Sequence, residues 1–181
     1  KAVNTTETFD AIVYAANFWE EQIPTIHQSA VEASNFIQLL KNNPNETFEK
    51  HGHVLGISKT YYFMLKGNGK ISAIDEEYLV VEINENQSIQ LATDFIFGNA
   101  VRDGSGKISI DEFLNMTDFN NVSVAINKLV KKNVVEKLKS EMESGKTIEF
   151  VGATEINEEN FDINNIRIIP VIANVSNGDK S

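Results

Sequence analysis

The sequence predicts a mainly β fold of the α+β class, in which two long helical segments each precede short strands that close into a small barrel. Three observations carry this. Apolar residues advance in steps of three and four over two separate stretches, from Phe9 to Leu40 and from Asp118 to Met142. Short apolar or aromatic runs, split by Gly, Asn and Asp, lie between and after them. The two helical starts also align: Phe9, Asp10, Ile12, Ala15 and Asn17 fall without a gap on Phe119, Asn120, Val122, Ala125 and Asn127, at an offset of 110. Short strands around a single helix suit a five-stranded barrel, and the offset suggests duplication of one helix-plus-barrel unit.

The first helix begins near Phe9 and buries Ile12, Ala15, Ala16, Trp19, Ile23, Ile26, Ala30, Ala33, Ile37 and Leu40. Pro24, lacking an N–H, kinks it or starts a new helix, and Asn42-Asn43-Pro44-Asn45 ends it. A polar connection holding His51 and His53 runs to about Lys59. Tyr61–Leu65 and Ile71–Ile74 are expected strands joined by a hairpin turn at Gly67-Asn-Gly69. Tyr78–Ile83 and Ile89–Phe97 follow, parted by the turn at Asn84–Gln87. A second helix starts after Asp118, capped by Asn120 or Asn121, and buries Val122, Ala125, Ile126, Leu129, Val134, Leu138 and Met142. Gly145 stops it. Thr147–Val151, Phe161–Ile163 and Asn165–Val175 complete the strands, and Pro170 implies an edge position or a bulge. The expected divisions are a tether at 1–8, a first half at 9–98, a second half at 99–176 with its helix at about 120–143, and a disordered tail at 177–181.

Composition narrows the partners. With 41% hydrophobic residues, the 181-residue chain is long enough for a real core. A net charge of −10 argues against nucleic acid, whose binding needs a basic footprint. No run approaches the ~20 apolar residues of a membrane span, and the absence of cysteine removes disulfides and thiolate metal sites. Asn-x-Ser/Thr triplets at Asn4, Asn45, Asn86, Asn115, Asn121 and Asn174 are read as a consequence of an Asn-rich chain.

The stretch Asp103-Gly-Ser-Gly-Lys-Ile-Ser-Ile-Asp-Glu112 imitates a calcium loop, with Gly106 at the turn and Glu112 at the twelfth position. Its first position falls on Val101, which offers no side-chain oxygen, so calcium is not expected. His51-Gly-His53 lacks a third ligand at a readable spacing, so no metal and no cofactor is expected. Gly104-Ser-Gly106, like Gly67-Asn-Gly69, completes no phosphate-binding pattern and reads as a hairpin turn. There is no nucleophile elbow, and the carboxylate pairs sit in turns, so no catalytic residue is assigned and the chain reads as a non-enzyme. Arg102-Asp103, just after an apolar strand, is either a ligand-binding pair or an ion pair that keeps the halves in register, the latter favoured. Trp19 faces the helix stripe as core, with sugar stacking as its other reading.

Gly98-Asn-Ala-Val-Arg-Asp103, Ile108-Ser-Ile-Asp-Glu-Phe113 and Asp118-Phe119 leading into the helical run to Asn127 resemble the motifs of a family of predicted periplasmic lipoproteins, the domain of unknown function 2291. Phe9-Asp10 with Trp19-Glu20, Gly67-Asn-Gly69, Gly145-Lys-Thr147, Phe150-Val-Gly-Ala153 and Ile169-Pro-Val171 match it in order, over nearly the whole chain. Met116 departs from the pattern, where Gln is more usual. The resemblance implies an apolar strand ending at Glu112-Phe113 and a tandem of two OB-like barrels that share strands. It also implies a lipid-bearing Cys directly ahead of Lys1-Ala-Val3 and a place in the bacterial cell envelope, on the periplasmic face or the surface. The lipid anchor would then be the only membrane attachment. The expected function is a non-enzymatic binding or accessory module, with sugar ABC-transporter components or an oligosaccharide as partner and with Arg102, Asp103, Trp19 and Asn127 as candidate ligand-binding residues. The alternatives are a protein–protein scaffold without a small ligand, or a hydrolase whose site the sequence does not display.

Overall fold

A computed structural model describes residues 8–177. The expected tether and tail therefore lie, apart from Thr8 and Asn177, outside the described residues. Asp10 caps α1 (Ala11–Gln22), its Oδ1 accepting the amides of Ile12 and Val13 at 2.9 and 3.3 Å. At Pro24 the α-helix gives way to a 3-10 turn (Ile23–Gln28), as a proline without a donor requires. A short strand β1 (Val31–Glu32) leads to α2 (Ala33–Asn42), which buries Ala33, Phe36, Ile37 and Leu40. The connection expected to be irregular contains α3 (Pro44–His51): Pro44 is pre-set for a first helical turn, and Thr47 and Phe48 are buried.

The strands are β2 (Thr60–Ile74), β3 (Tyr78–Asn84), β4 (Gln87–Ala92), β5 (Thr147–Asn157) and β6 (Arg167–Ser176). Their pairings run β2–β3–β4–β6–β5 and return from β5 to β2, with β1 added in parallel beside Leu65 of β2. All contacts in this ring are antiparallel except β4–β6, where Gln90 and Leu91 lie parallel to Arg167 and Ile168. The expected pair of barrels is thus replaced, among the described residues, by one six-stranded sheet. Strands from both sides of residue 98 pair into it, because β5 runs along β2 from Thr60 to Lys70.

One expected turn is replaced by close backbone approach. Gly67-Asn-Gly69 is not a turn but lies inside β2, opposite Phe150, Glu149 and Ile148. A Cβ on Gly67 would lie 2.9 Å from the Phe150 ring and one on Gly69 would overlap the Glu82 carbonyl, so these glycines let neighbouring strands crowd β2. Pro170 sits opposite Gly152 at a β-bulge, one of the two places a strand proline fits. Phe161–Ile163 forms no strand, and Ile89–Phe97 is strand only to Ala92.

Helices fill the connection between β4 and β5: α4 (Ala100–Gly104), a 3-10 turn (Ile110–Glu112), α5 (Met116–Val130), a π turn (Lys131–Val135) and α6 (Glu136–Glu141). Gly104-Ser-Gly106 closes α4 rather than a hairpin, with Gly106 at φ +69°. The expected strand at Ile108–Phe113 is instead a capping box, in which Ser109 and Glu112 satisfy each other's amides. Asn115, not Asn120 or Asn121, caps α5 by accepting the Asp118 amide at 2.8 Å.

Two cores result. The ring interior holds Phe63, Leu65, Ile71, Leu79, Val81, Ile89, Leu91, Ile148, Phe150 and Ile168, covered by Phe36, Ile37, Leu40, Phe48 and Leu138. Outside the ring, Tyr62, Met64, Val151, Ala153 and Val171 pack against Ala15 and Phe18 of α1, Val101 of α4 and Val122, Ala125, Ile126 and Val130 of α5. Alternation along β2 assigns Phe63 and Leu65 to one core and Tyr62 and Met64 to the other. On α1 the buried face runs through Ala15 and Phe18; Ile12 and Ala16 of the expected stripe point outward. Each large side chain so buried contributes about 1.5–3 kcal/mol.

Candidate functional site: exposed aromatics beside a buried ion pair

Helix α4 brings Arg102 and Asp103 into the outer core, 1% and 8% exposed. Arg102 Nε and Nη2 donate to the two Asp103 carboxylate oxygens at 2.8 and 2.9 Å, and Nη1 donates to the Phe119 carbonyl at 3.1 Å. The guanidinium carbon lies 3.6 Å from the centre of the Phe119 ring. The pair is on a helix rather than at a strand end, and it is engaged within the protein: both carboxylate oxygens and one face of the guanidinium are occupied. It ties α4 to the first turns of α5. The Asp103 carboxylate is also felt by Tyr62, whose phenol is pushed up to about 12, first by burial and then by Glu155 and Asp103.

Immediately before α4 the polarity is reversed. Phe95 and Phe97 are 68% and 64% exposed, with ring centres 5.2 Å apart. They border a small cavity of about 190 Å³ that also receives Asn99, Glu155, Arg167 and Ile169. The loop that carries them is pinned at Gly98, whose φ of +86° suits a residue without a side chain. Its carbonyl accepts Ser123 Oγ at 2.7 Å and Asn127 Nδ2 at 2.9 Å, both from α5. Arg167 is steered from below: Nη2 donates to the Glu77 carbonyl at 3.3 Å and the guanidinium lies 5.4 Å from the Tyr78 ring centre. Two exposed π faces beside a carboxylate, a guanidinium and an amide offer both stacking and paired hydrogen bonds to a ligand rich in hydroxyls.

A family model described as predicted periplasmic lipoprotein (domain of unknown function 2291) matches residues 1–174. The chain belongs to this family. Among solved structures it is similar to an OB-fold protein from Thermotoga maritima, with 24% sequence identity, a TM-score of 0.83, and coverage of 94% of this chain and 100% of that one. None of the curated proteins compared with it matches. The first match makes this a predicted periplasmic lipoprotein, and the second shows an OB-type fold.

In this lipoprotein the four sequence-predicted site residues separate. Arg102 and Asp103 bind each other. Asn127 lies behind the Phe95–Phe97 cavity and holds its loop, while Trp19 is half-buried against the outer core, away from that cavity. No group of three or more His, Asp or Glu side chains able to hold a metal ion occurs among the described residues, so His51 and His53 gain no third ligand there. Tyr14 donates to Glu112 at 2.9 Å, and burial with that acceptor holds its phenol well above the ordinary range. Sequence reasoning missed Phe95 and Phe97 because it extended β4 through them. The available signal was Phe-Ile-Phe running directly into Gly98-Asn99, two aromatics on one side of a segment that a turn then ends.

Proposed function

We propose that this protein is a non-enzymatic binding module of the cell envelope, tethered by a lipid. In this reading it takes a sugar or oligosaccharide at Phe95 and Phe97 and works with the components of a sugar ABC transporter. One observation supports the reading above the others: two exposed aromatic rings, held by Ser123 and Asn127 through Gly98, stand over Asn99, Glu155 and Arg167. Large exposed apolar rings that fill no core mark a binding surface, and flat rings stack on the C–H faces of sugars while charged planar groups take hydroxyl pairs. The test is a calorimetric titration with a panel of neutral oligosaccharides, comparing the native chain with Phe95→Ala and Phe97→Ala. The reading expects saturable heat from at least one oligosaccharide, lost in both variants. Binding that survives both substitutions, or no binding across the panel, sinks it.

A second reading, a protein–protein scaffold, has its own support. Ile12, Val13 and Val124, on the packed helices α1 and α5, are 73%, 53% and 53% exposed. Specific capture of a transporter component, abolished by Ile12→Glu and indifferent to Phe95→Ala, would favour it.

A further inference from the structure

The cleft between the end of α3 and the end of α4 runs against the composition of the chain. Asp and Glu number 26 against 16 Lys and Arg, yet this cleft of about 270 Å³ is lined by Lys50, His51, His53 and Lys107, with Ser29 on its rim, and no carboxylate lines it. Its walls are fixed by the backbone. His53 exchanges two hydrogen bonds with Tyr62 of β2, both 2.8 Å, which locks the residue after the α3 cap to the ring. On the opposite wall, Ser105 Oγ donates to the Arg102 carbonyl at 3.0 Å and accepts the Lys107 amide at 3.1 Å. The His53 ring rests on Gly106, where a Cβ would lie 2.8 Å from Cε1, so the two walls meet only because residue 106 has no side chain.

We propose that this cleft binds a small tetrahedral oxyanion, a phosphate or sulfate group, on its own or as the end of a larger polar molecule. The lysine and histidine side chains that line both walls can supply charge-assisted donors, and a tetrahedral anion presents acceptors in every direction. The cations are free to serve. Lys107 takes part in none of the described ion pairs, and the Lys50–Glu46 contact, 3.6 Å with both side chains well exposed, is of the weak surface kind. The carboxylates of an adjoining cleft of about 670 Å³, Asp103 and Glu112, are already taken by Arg102 and by Tyr14 with Ser109. That larger cleft, which shares His53 and Lys107 with the smaller one, is the room into which the rest of such a molecule would extend. Desolvation lowers the His53 pKa against the opposing pull of Asp103, so at neutral pH its ring acts as a neutral donor.

The chain carries three histidines, and His27 does not line the cleft, which gives an internal control. Inorganic phosphate is titrated at neutral pH and constant ionic strength while the histidine ring resonances are followed by NMR. The His51 and His53 signals are expected to move saturably, with a dissociation constant near or below about 1 mM, and His27 to stay still. Lys107→Ala is expected to weaken binding about tenfold, the loss of one charge-assisted contact. Sulfate should compete and acetate should bind more weakly. The Phe95→Ala, Phe97→Ala double variant should bind phosphate as the native chain does, since this site is independent of the proposed sugar site. Any of three results overturns the proposal: chloride moving the same signals equally, Lys107→Ala binding phosphate unchanged, or acetate binding more tightly than phosphate.

Discussion

Phe95 and Phe97 are 68% and 64% exposed, while Arg102 and Asp103, in the next short helix, are 1% and 8% exposed. Both segments invert the ordinary sorting of side chains, in opposite directions, and the two inversions differ in what answers them. The buried charges are answered inside the protein, by each other, by the Phe119 carbonyl and by the Phe119 ring. The exposed rings answer only each other, at 5.2 Å, and a backbone device at Gly98 holds them in place. A polarity inversion that the fold satisfies is evidence of structure; one that the fold supports but leaves open is evidence of a binding surface.

The comparison breaks first at Arg102. Arg102→Ala is expected to cost about 3–5 kcal/mol in urea unfolding, because it strands the Asp103 carboxylate in the core, whereas Asp103→Asn keeps an acceptor and costs less. A stable Arg102→Ala protein that had lost a ligand would make the ion pair, not the aromatic pair, the binding site. The buried phenol beside this pair should also show in alkali. Because the Tyr62 phenol is pushed up to about 12, its contribution to stability is complete below pH 10 and is lost as pH rises from there through about 12. Ultraviolet titration should find two phenols ionising late, Tyr14 and Tyr62, and Tyr62→Phe should remove the step near pH 12 while leaving that of Tyr14. Asn127→Ala should cost about 1 kcal/mol, since Ser123 still holds the Gly98 carbonyl. Amide exchange at Gly98 and Asn99 should nevertheless quicken, and unchanged exchange would mean that the loop is held by something else. The smallest effect belongs to the aromatic pair: Phe95→Ala and Phe97→Ala should each leave stability within about 0.5 kcal/mol while removing sugar binding. A loss of several kcal/mol at either ring would show that it is core after all.

The family, the α+β class, the helical break at Pro24 and the bulge at Pro170 were legible in the sequence, as was the reading of Arg102-Asp103 as an ion pair. These rest on local signals: a missing donor, an opposite-charge neighbour, a period of three and four. The glycines misled for the converse reason. Gly67 and Gly69 carry the composition of a turn, but what they relieve is the approach of Phe150, far along the chain, and of Glu82 on the next strand. The repeat at an offset of 110 predicted two barrels. Instead its two copies, α1 and α5, pack on each other outside one ring, and Phe9 and Phe119 both touch Phe113.

Sequence alone determined the elements whose causes lie within a few residues: the helical break at Pro24, the apolar stripe through Ala33, Ile37 and Leu40, the strand at Tyr61–Leu65 and the family motifs. Tertiary structure decided how the strands close, since the pairing of β2 with β5 joins Thr60 to Asn157 and no local pattern encodes that register. It also decided which surfaces stay open. Exposure of Phe95 and Phe97, and a carboxylate-free lining of lysines and histidines, depend on which distant segment comes to lie against each residue, and burial is a property of that neighbour as much as of the residue itself.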